Sequence, residues 1–225
     1  MIDRGACENL MTCAAACYFD AYETVGFTIS PEDLADKLVR DKVFYDQSGG
    51  GVTFSGGEPA LQDEFVLETA KILRSGGIHV ALDTAGLVPW HRLEPLADGV
   101  DLVLYDIKAF DAGIHRACTG ADNRVILENA GRLAENNKDM IIRMILAPGY
   151  NDQPEDIEAR LRFIAGLGPS VRQVDILKLH HLGAGKYHSL GLPFPMEGVG
   201  DCPDSLAEAV AQRAAEWGLK AVVGG

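Results

Sequence analysis

Several things are scarce in this sequence, and each scarcity narrows what the chain can be. Aromatic residues make up only 7% of its 225 residues. No apolar run reaches the roughly 18–20 residues that a bilayer span needs, and no secretory signal is expected at Met1. Positive charge is in deficit: 20 Lys and Arg stand against 33 Asp and Glu, a formal charge of −13. That balance argues against binding to nucleic acid or to an anionic membrane surface. Cysteine is sparse and uneven. Of five, Cys7, Cys13 and Cys17 crowd the N-terminus, while Cys118 and Cys202 lie far away. Such an odd, clustered set is no disulfide framework, and in a cytosolic chain it reads as metal ligation or its remnant. Internal repeats, low-complexity tracts and linkers are absent.

What is present fits one ordinary domain: 47% of the residues are hydrophobic and 24% charged, enough for a buried core. From residue 30 onwards apolar runs alternate with helical patterns. The runs lie at Val52–Phe54, Val80–Leu82, Asp101–Tyr105, Ile141–Leu146, Val174–Leu179 and Ala221–Val223. Ser30-Pro31-Glu32-Asp33 is a helix start with a capping serine and a proline in the first turn. Phe65, Thr69, Ile72 and Leu73 predict one helical face, closed by Gly76-Gly77; Ile157, Leu161 and Ile164 predict a second, and Leu206, Val210, Ala214 and Trp217 a third. The near-continuous apolar runs predict strands buried on both faces, hence a parallel sheet covered by helices. Six such strands make a β/α barrel, open or closed, or a doubly wound sheet.

Polar residues sit at the ends of these runs. Glu58, Asp83, Asp106 and His180 each follow one, so they gather at the C-terminal rim of the sheet, where α/β folds bind ligands. Gly56 and Gly57 let a backbone approach a ligand closely, and Glu58 beside them offers an acceptor suited to an ammonium group. Asp106 and Lys108 are two apart and share one strand face. Together they can grip both ends of an α-amino-acid group. Asp83 and Thr84 cluster oxygens suited to a hard cation or a ribose. Arg143 lies inside a strand, where an unpaired charge is costly, so it meets a carboxylate or a ligand. Of the adjacent His180 and His181, at most one faces the rim. An aldolase-like Schiff base on Lys108 remains a competing chemistry.

Taken in order and spacing, the series resembles the glycyl-radical-enzyme activating enzymes of the radical S-adenosylmethionine (SAM) superfamily. It runs from Ser48-Gly49-Gly50-Gly51-Val52-Thr53-Phe54-Ser55-Gly56-Gly57-Glu58-Pro59 through Leu82-Asp83-Thr84-Ala85-Gly86 to Asp106-Ile107-Lys108. It continues with Ile142-Arg143, Pro148-Gly149-Tyr150-Asn151-Asp152 and His180-His181-Leu182-Gly183. The resemblance implies a partial (β/α)6 TIM-like barrel of α/β class over residues 30–225. It implies that Gly56, Gly57 and Glu58 bind the SAM amino group, that Asp106 and Lys108 hold the methionine moiety, and that His180 contacts SAM. Asp83 and Thr84, with Asp106, match a monovalent-cation site, and Arg143 a residue near the incoming glycyl loop. The cofactors implied are SAM and a [4Fe–4S] cluster. The partners implied are a glycyl radical enzyme and an electron donor such as flavodoxin or ferredoxin, in an anaerobic cytoplasm.

One part of the pattern departs. The family's C-x3-C-x2-C loop, whose thiolates hold three irons, is not in this sequence. The nearest approach is Cys13-x3-Cys17 with Asp20 in the third place. A ferredoxin-like C-x2-C-x2-C-x3-C-P segment fits better: Cys7, Cys13 and Cys17 match its first, third and fourth cysteines, and Leu10 and Tyr18 replace the second cysteine and the proline. Residues 1–29 are therefore expected to be the remnant of an auxiliary-cluster segment. The first barrel strand is expected to be missing through truncation or a mis-assigned start, which would leave the strand at Val52 as an unpaired edge. A non-catalytic remnant that keeps the SAM pocket or the partner surface is the alternative function.

Overall fold

The computed structural model describes residues 5–8, 10–22 and 26–224. Six strands form one sheet: β1 (Gly51–Phe54), β2 (His79–Thr84), β3 (Leu102–Asp106), β4 (Met140–Leu146), β5 (Val171–Lys178) and β6 (Ala221–Gly224). Their spatial order is their chain order, and every neighbouring pair is parallel. A single helical turn, α1 (Thr12–Ala15), precedes α2 (Pro31–Val39) and α3 (Lys42–Ser48). Crossovers then follow: α4 (Asp63–Ser75) after β1, α5 (Trp90–Gly99) after β2, and α6 (Ala112–Thr119) with α7 (Arg124–Glu135) after β3. Next come α8 (Pro154–Gly166) after β4, and α9 (Ala184–Leu190) with α10 (Asp204–Glu216) after β5.

Unreversed strand order decides the architecture. Parallel crossovers are right-handed, so stepping always in one direction puts every crossover helix on the same side of the sheet. A doubly wound sheet needs a reversal and is excluded; the fold is a partial (β/α)6 barrel. The helix-covered face holds the core: Val80, Leu82, Val103, Tyr105, Met140, Ile142, Met144, Val174 and Ile176 are all fully buried. The other face is not. Burial alternates strictly along β3 and β4, which corrects the prediction of strands buried on both faces. The concave side is half-open and carries charged residues facing the barrel interior.

Local signals did their work at the helix ends. Ser30 Oγ accepts from the Asp33 N–H at 3.0 Å with Pro31 in the first turn of α2, and Asp111 Oδ1 accepts from the Ile114 N–H at 2.8 Å to start α6. The predicted face of α4 is rotated: Val66, Thr69, Ala70 and Leu73 are buried, with Phe65 and Ile72 at the margin. Thr69 tolerates full burial because its hydroxyl donates to the Phe65 carbonyl at 2.8 Å. On α10 the buried line is Ala207, Val210 and Ala214, with Leu206 and Trp217 flanking it. β1 pairs only with β2 among the described strands, so it is an edge of the sheet. No helix among the described residues is long and apolar enough to cross a membrane.

Candidate active site on the concave face

Strand parity sends Thr53, Asp83, Asp106, Arg143 and Asp175 to the concave side, opposite the core-facing residues. Register then sets them side by side. Asp106 on β3 is opposite Arg143 on β4, which is opposite Asp175 on β5. Asp83 on β2 lies one step down, opposite Leu104.

The side chains close into a charge-balanced cluster. Arg143 Nε donates to Asp106 Oδ1 at 2.8 Å and its Nη1 to Asp83 Oδ2 at 3.0 Å, while Nη2 reaches both carboxylates. Lys108 Nζ donates to Asp106 Oδ2 at 2.6 Å. Ser55, just past β1, donates its hydroxyl to Asp83 Oδ2 at 2.7 Å. Two carboxylates thus face two cations across three strands. Burial alone would lower the Arg143 pKa, but Asp106 and Asp83 outweigh it and the net shift is upward. Asp175 stands at the end of this row and accepts the Gln173 amide at 2.7 Å.

Glu58 has a different environment. Its Oε1 accepts from the Thr84 hydroxyl at 2.7 Å and from the Ala60 N–H at 3.1 Å, and its Oε2 from the Ala85 N–H at 3.0 Å. The carboxylate ties the loop after β1 to the end of β2 and caps the short 3-10 turn at Pro59–Gln62. Thr84 points to the core-facing side, 2% exposed, and its Oγ1 also accepts from the Gly86 N–H at 2.9 Å. Its side chain therefore does not join Asp83 on the concave face. Gly56 takes φ +129°, a conformation side chains disfavour, and a Cβ at Gly56 or Gly57 would meet nothing within 4 Å. Gly86 is constrained by contact: at φ +69° a Cβ would fall 1.9 Å from Tyr105 Oη, and Asn129 Nδ2 clamps this loop through the Gly86 and Val88 carbonyls at 2.9 and 2.8 Å.

His180 follows β5 and is exposed. His181 turns instead to Asp201, 3.6 Å away, and to the Phe194 ring. Cys7, Cys13 and Cys17 form no disulfide. Among the described residues no three His, Cys, Asp or Glu side chains come together in a group that could hold a metal ion. At Cys17 backbone N–H donors, led by Phe19 and Tyr22, lower the thiol pKa. Sequence reasoning missed Ser55 and Asp175 as members of this face. Period-two alternation, counted from Thr53 and Arg143's neighbours, is the signal that finds them.

Comparison with known proteins places the chain in a family. The radical SAM superfamily pattern matches residues 15–164. The (2S)-3-sulfopropanediol dehydratase activating enzyme of Klebsiella oxytoca is 37% identical over 199 residues, which are 88% of this chain and 63% of that protein. The pyruvate formate-lyase 2-activating enzyme of Escherichia coli is 35% identical over 220 residues, covering 97% of this chain and 74% of that protein. A crystallised domain of the pyruvate-formate lyase-activating enzyme from Bacteroides vulgatus superposes with TM-score 0.66 at 29% identity, covering 78% of this chain and 99% of that one. Streptococcus suis SuiB bound to S-adenosylmethionine shares the fold at TM-score 0.66 and 15% identity, over 93% of this chain and 46% of that one. The chain spans 63% of the length of the Klebsiella enzyme. It belongs to the radical SAM superfamily and, within it, to the glycyl-radical-enzyme activating enzymes.

Proposed function

We propose that the chain provides the SAM-binding barrel of an activating enzyme that installs a glycyl radical on a partner enzyme. The observation that carries this is the balanced cluster of Asp83, Asp106, Lys108 and Arg143 on the concave face. The α-amino and α-carboxyl groups at the methionine end of SAM form a zwitterion, separate from the sulfonium. A neutral cluster can take it without net charge burial: Asp106 exchanges part of its bonding to the ligand ammonium, and Lys108 turns to the ligand carboxylate. Gly56 and Gly57 leave open space for a ligand, and exposed His180 borders the same rim. Glu58 holds the loop containing these glycines and keeps lone-pair capacity for an ammonium. Asp83, freed from Arg143, suits a monovalent cation, and Arg143 then turns toward the glycyl loop.

In an activating enzyme a bound [4Fe–4S] cluster would supply the electron for reductive cleavage of SAM, and Asp106, Lys108, Gly56, Gly57 and Glu58 would hold SAM for that chemistry. The described cysteines do not form the ligand set such a cluster requires. Cys7, Cys13 and Cys17 are read as the remnant of an auxiliary-cluster segment within residues 1–29, parts of which lie outside the described residues. A flavodoxin or ferredoxin is the proposed electron donor, in the cytoplasm.

The test is anaerobic reconstitution of the chain with iron and sulfide, then equilibrium dialysis against SAM and, with reductant, assay of 5′-deoxyadenosine. SAM binding that Asp106→Asn abolishes supports the pocket. No SAM binding by folded, reconstituted protein overturns it. Deoxyadenosine that disappears in Cys13→Ala or Cys17→Ala would make those cysteines catalytic and end the remnant reading.

A further inference from the structure

Burying polar side chains is costly, and where a fold does so the partners explain why. Nine polar or charged residues are buried among the described ones, and four of them converge on one loop. That loop follows β3 and carries Lys108. Asn151 Nδ2 donates to the Lys108 carbonyl at 2.7 Å, and Arg160 Nη1 donates to the same oxygen at 3.3 Å. Asn123 Nδ2 donates to the Ala109 and Phe110 carbonyls at 3.0 and 2.8 Å. Asp156 Oδ1 accepts from the Phe110 and Asp111 N–H groups at 2.9 and 2.7 Å. Asp156 and Arg160, successive turns apart on α8, form an ion pair at 2.9 Å that is 1% and 0% exposed. Asn151 is fixed in turn, accepting from the Ala147 N–H at 2.7 Å and donating to the Ile145 carbonyl at 2.8 Å.

A fully buried ion pair is no better for stability than well-packed apolar residues. Its presence, aimed at backbone groups of four consecutive residues, needs another reason. By comparison the loop after β2 is held by Asn129 through the Gly86 and Val88 carbonyls and by the part-buried Glu58 through the Ala85 N–H. We propose that Asn123, Asn151, Asp156 and Arg160 are positioning residues: they immobilise the backbone from Lys108 to Asp111 so that the Lys108 ammonium stays on Asp106, facing the ligand. That the ammonium serves a ligand rests on the proposed function; that it is held in place does not.

The experiment uses the full chain without cofactor. Lysines are acetylated with a water-soluble N-hydroxysuccinimide ester, and the rate at each is followed by peptide mass spectrometry. Asn123→Ala, Asn151→Ala and Asp156→Asn are each expected to speed acetylation of Lys108 roughly threefold or more, leaving exposed Lys71 and Lys220 unchanged. Ser170→Ala is the control for general loosening, since Ser170 is buried and its hydroxyl donates to the Ala134 carbonyl at 3.3 Å, away from the loop. An unchanged Lys108 rate in Asn123→Ala with native circular dichroism overturns the inference, and so does an equal acceleration in Ser170→Ala. SAM affinity separates the two readings. If Lys108→Ala leaves SAM binding intact while Asn123→Ala still accelerates labelling, the positioning stands and the ligand assignment falls.

Discussion

Replacing Glu58 with Gln tests whether its carboxylate is the clamp that the geometry describes. Three donors meet it: the Thr84 hydroxyl and the Ala60 N–H at Oε1, and the Ala85 N–H at Oε2. A glutamine can keep its oxygen at the first position, but its NH2 then confronts the Ala85 N–H, donor against donor. That loses one charge-assisted bond and orphans a half-buried donor, at about 1–3 kcal/mol. The two surviving bonds change from a charged to a neutral acceptor and weaken by roughly half. Together the cost is about 3 kcal/mol. With a urea dependence of about 3 kcal/mol per molar for a chain of this size, the unfolding midpoint of Glu58→Gln should fall by about 1 M. The assay is equilibrium urea unfolding followed by circular dichroism. A shift under about 0.2 M would refute the reasoning, because the carboxylate would then not be holding the two loops together. SAM affinity on the same protein tells whether the residue also meets the ligand.

Other outcomes follow from the same contacts. Gly86→Ala places a methyl 1.9 Å from Tyr105 Oη at φ +69°. Left-handed strain and the displaced Tyr105–Ile126 hydrogen bond should together cost about 3 kcal/mol, read as a lowered thermal midpoint. Lys108→Ala should weaken SAM binding roughly tenfold or more with little loss of stability, measured by equilibrium dialysis. Asp63 is held down to about 2, first by the hydrogen bond from Arg92. Its folded pKa lies below its unfolded value, so its contribution is present above about pH 4 and is lost as pH falls through about 2. Asp63→Asn should therefore be less stable than the parent at pH 7, by no more than about 1 kcal/mol. That gap should narrow as acid unfolding is followed from about pH 4 downward.

What could be seen in the sequence was whatever local periodicity controls. Asp106 and Lys108 share a face because alternate strand residues do, and the ion pair at 2.6 Å follows. Arg143 inside an apolar run announced that it needed a carboxylate. It could not announce two, because Asp83 is 60 residues away and reaches it only through the register of β2, β3 and β4. Glu58 at the end of an apolar run predicts an acceptor at the rim, but not its three protein donors, which meet it because the turn after β1 brings it over the end of β2. Asp156 and Arg160 were invisible for the opposite reason. An acid and a base four apart on a helix look like an exposed pair, and only the β3 loop folding onto α8 buries them.

Strand order has a kinetic side. Each described strand pairs with its immediate neighbours in the chain, so none of these pairings has to wait for a distant segment to be synthesised. As each crossover helix leaves the ribosome, the following strand can dock on one already in place, and ordering can proceed from β1 towards β6 without closing long loops. The charges assemble in the same sequence: Asp83 arrives first, Asp106 and Lys108 next, and Arg143 last. Until β4 docks, Asp83 and Asp106 both lack Arg143, and Lys108 pairs with Asp106 while Asp83 has no cation. The arginine strand is then the step that supplies that cation, so Arg143→Met should slow refolding as well as weaken the folded state, a difference stopped-flow fluorescence of Trp90 and Trp217 would detect.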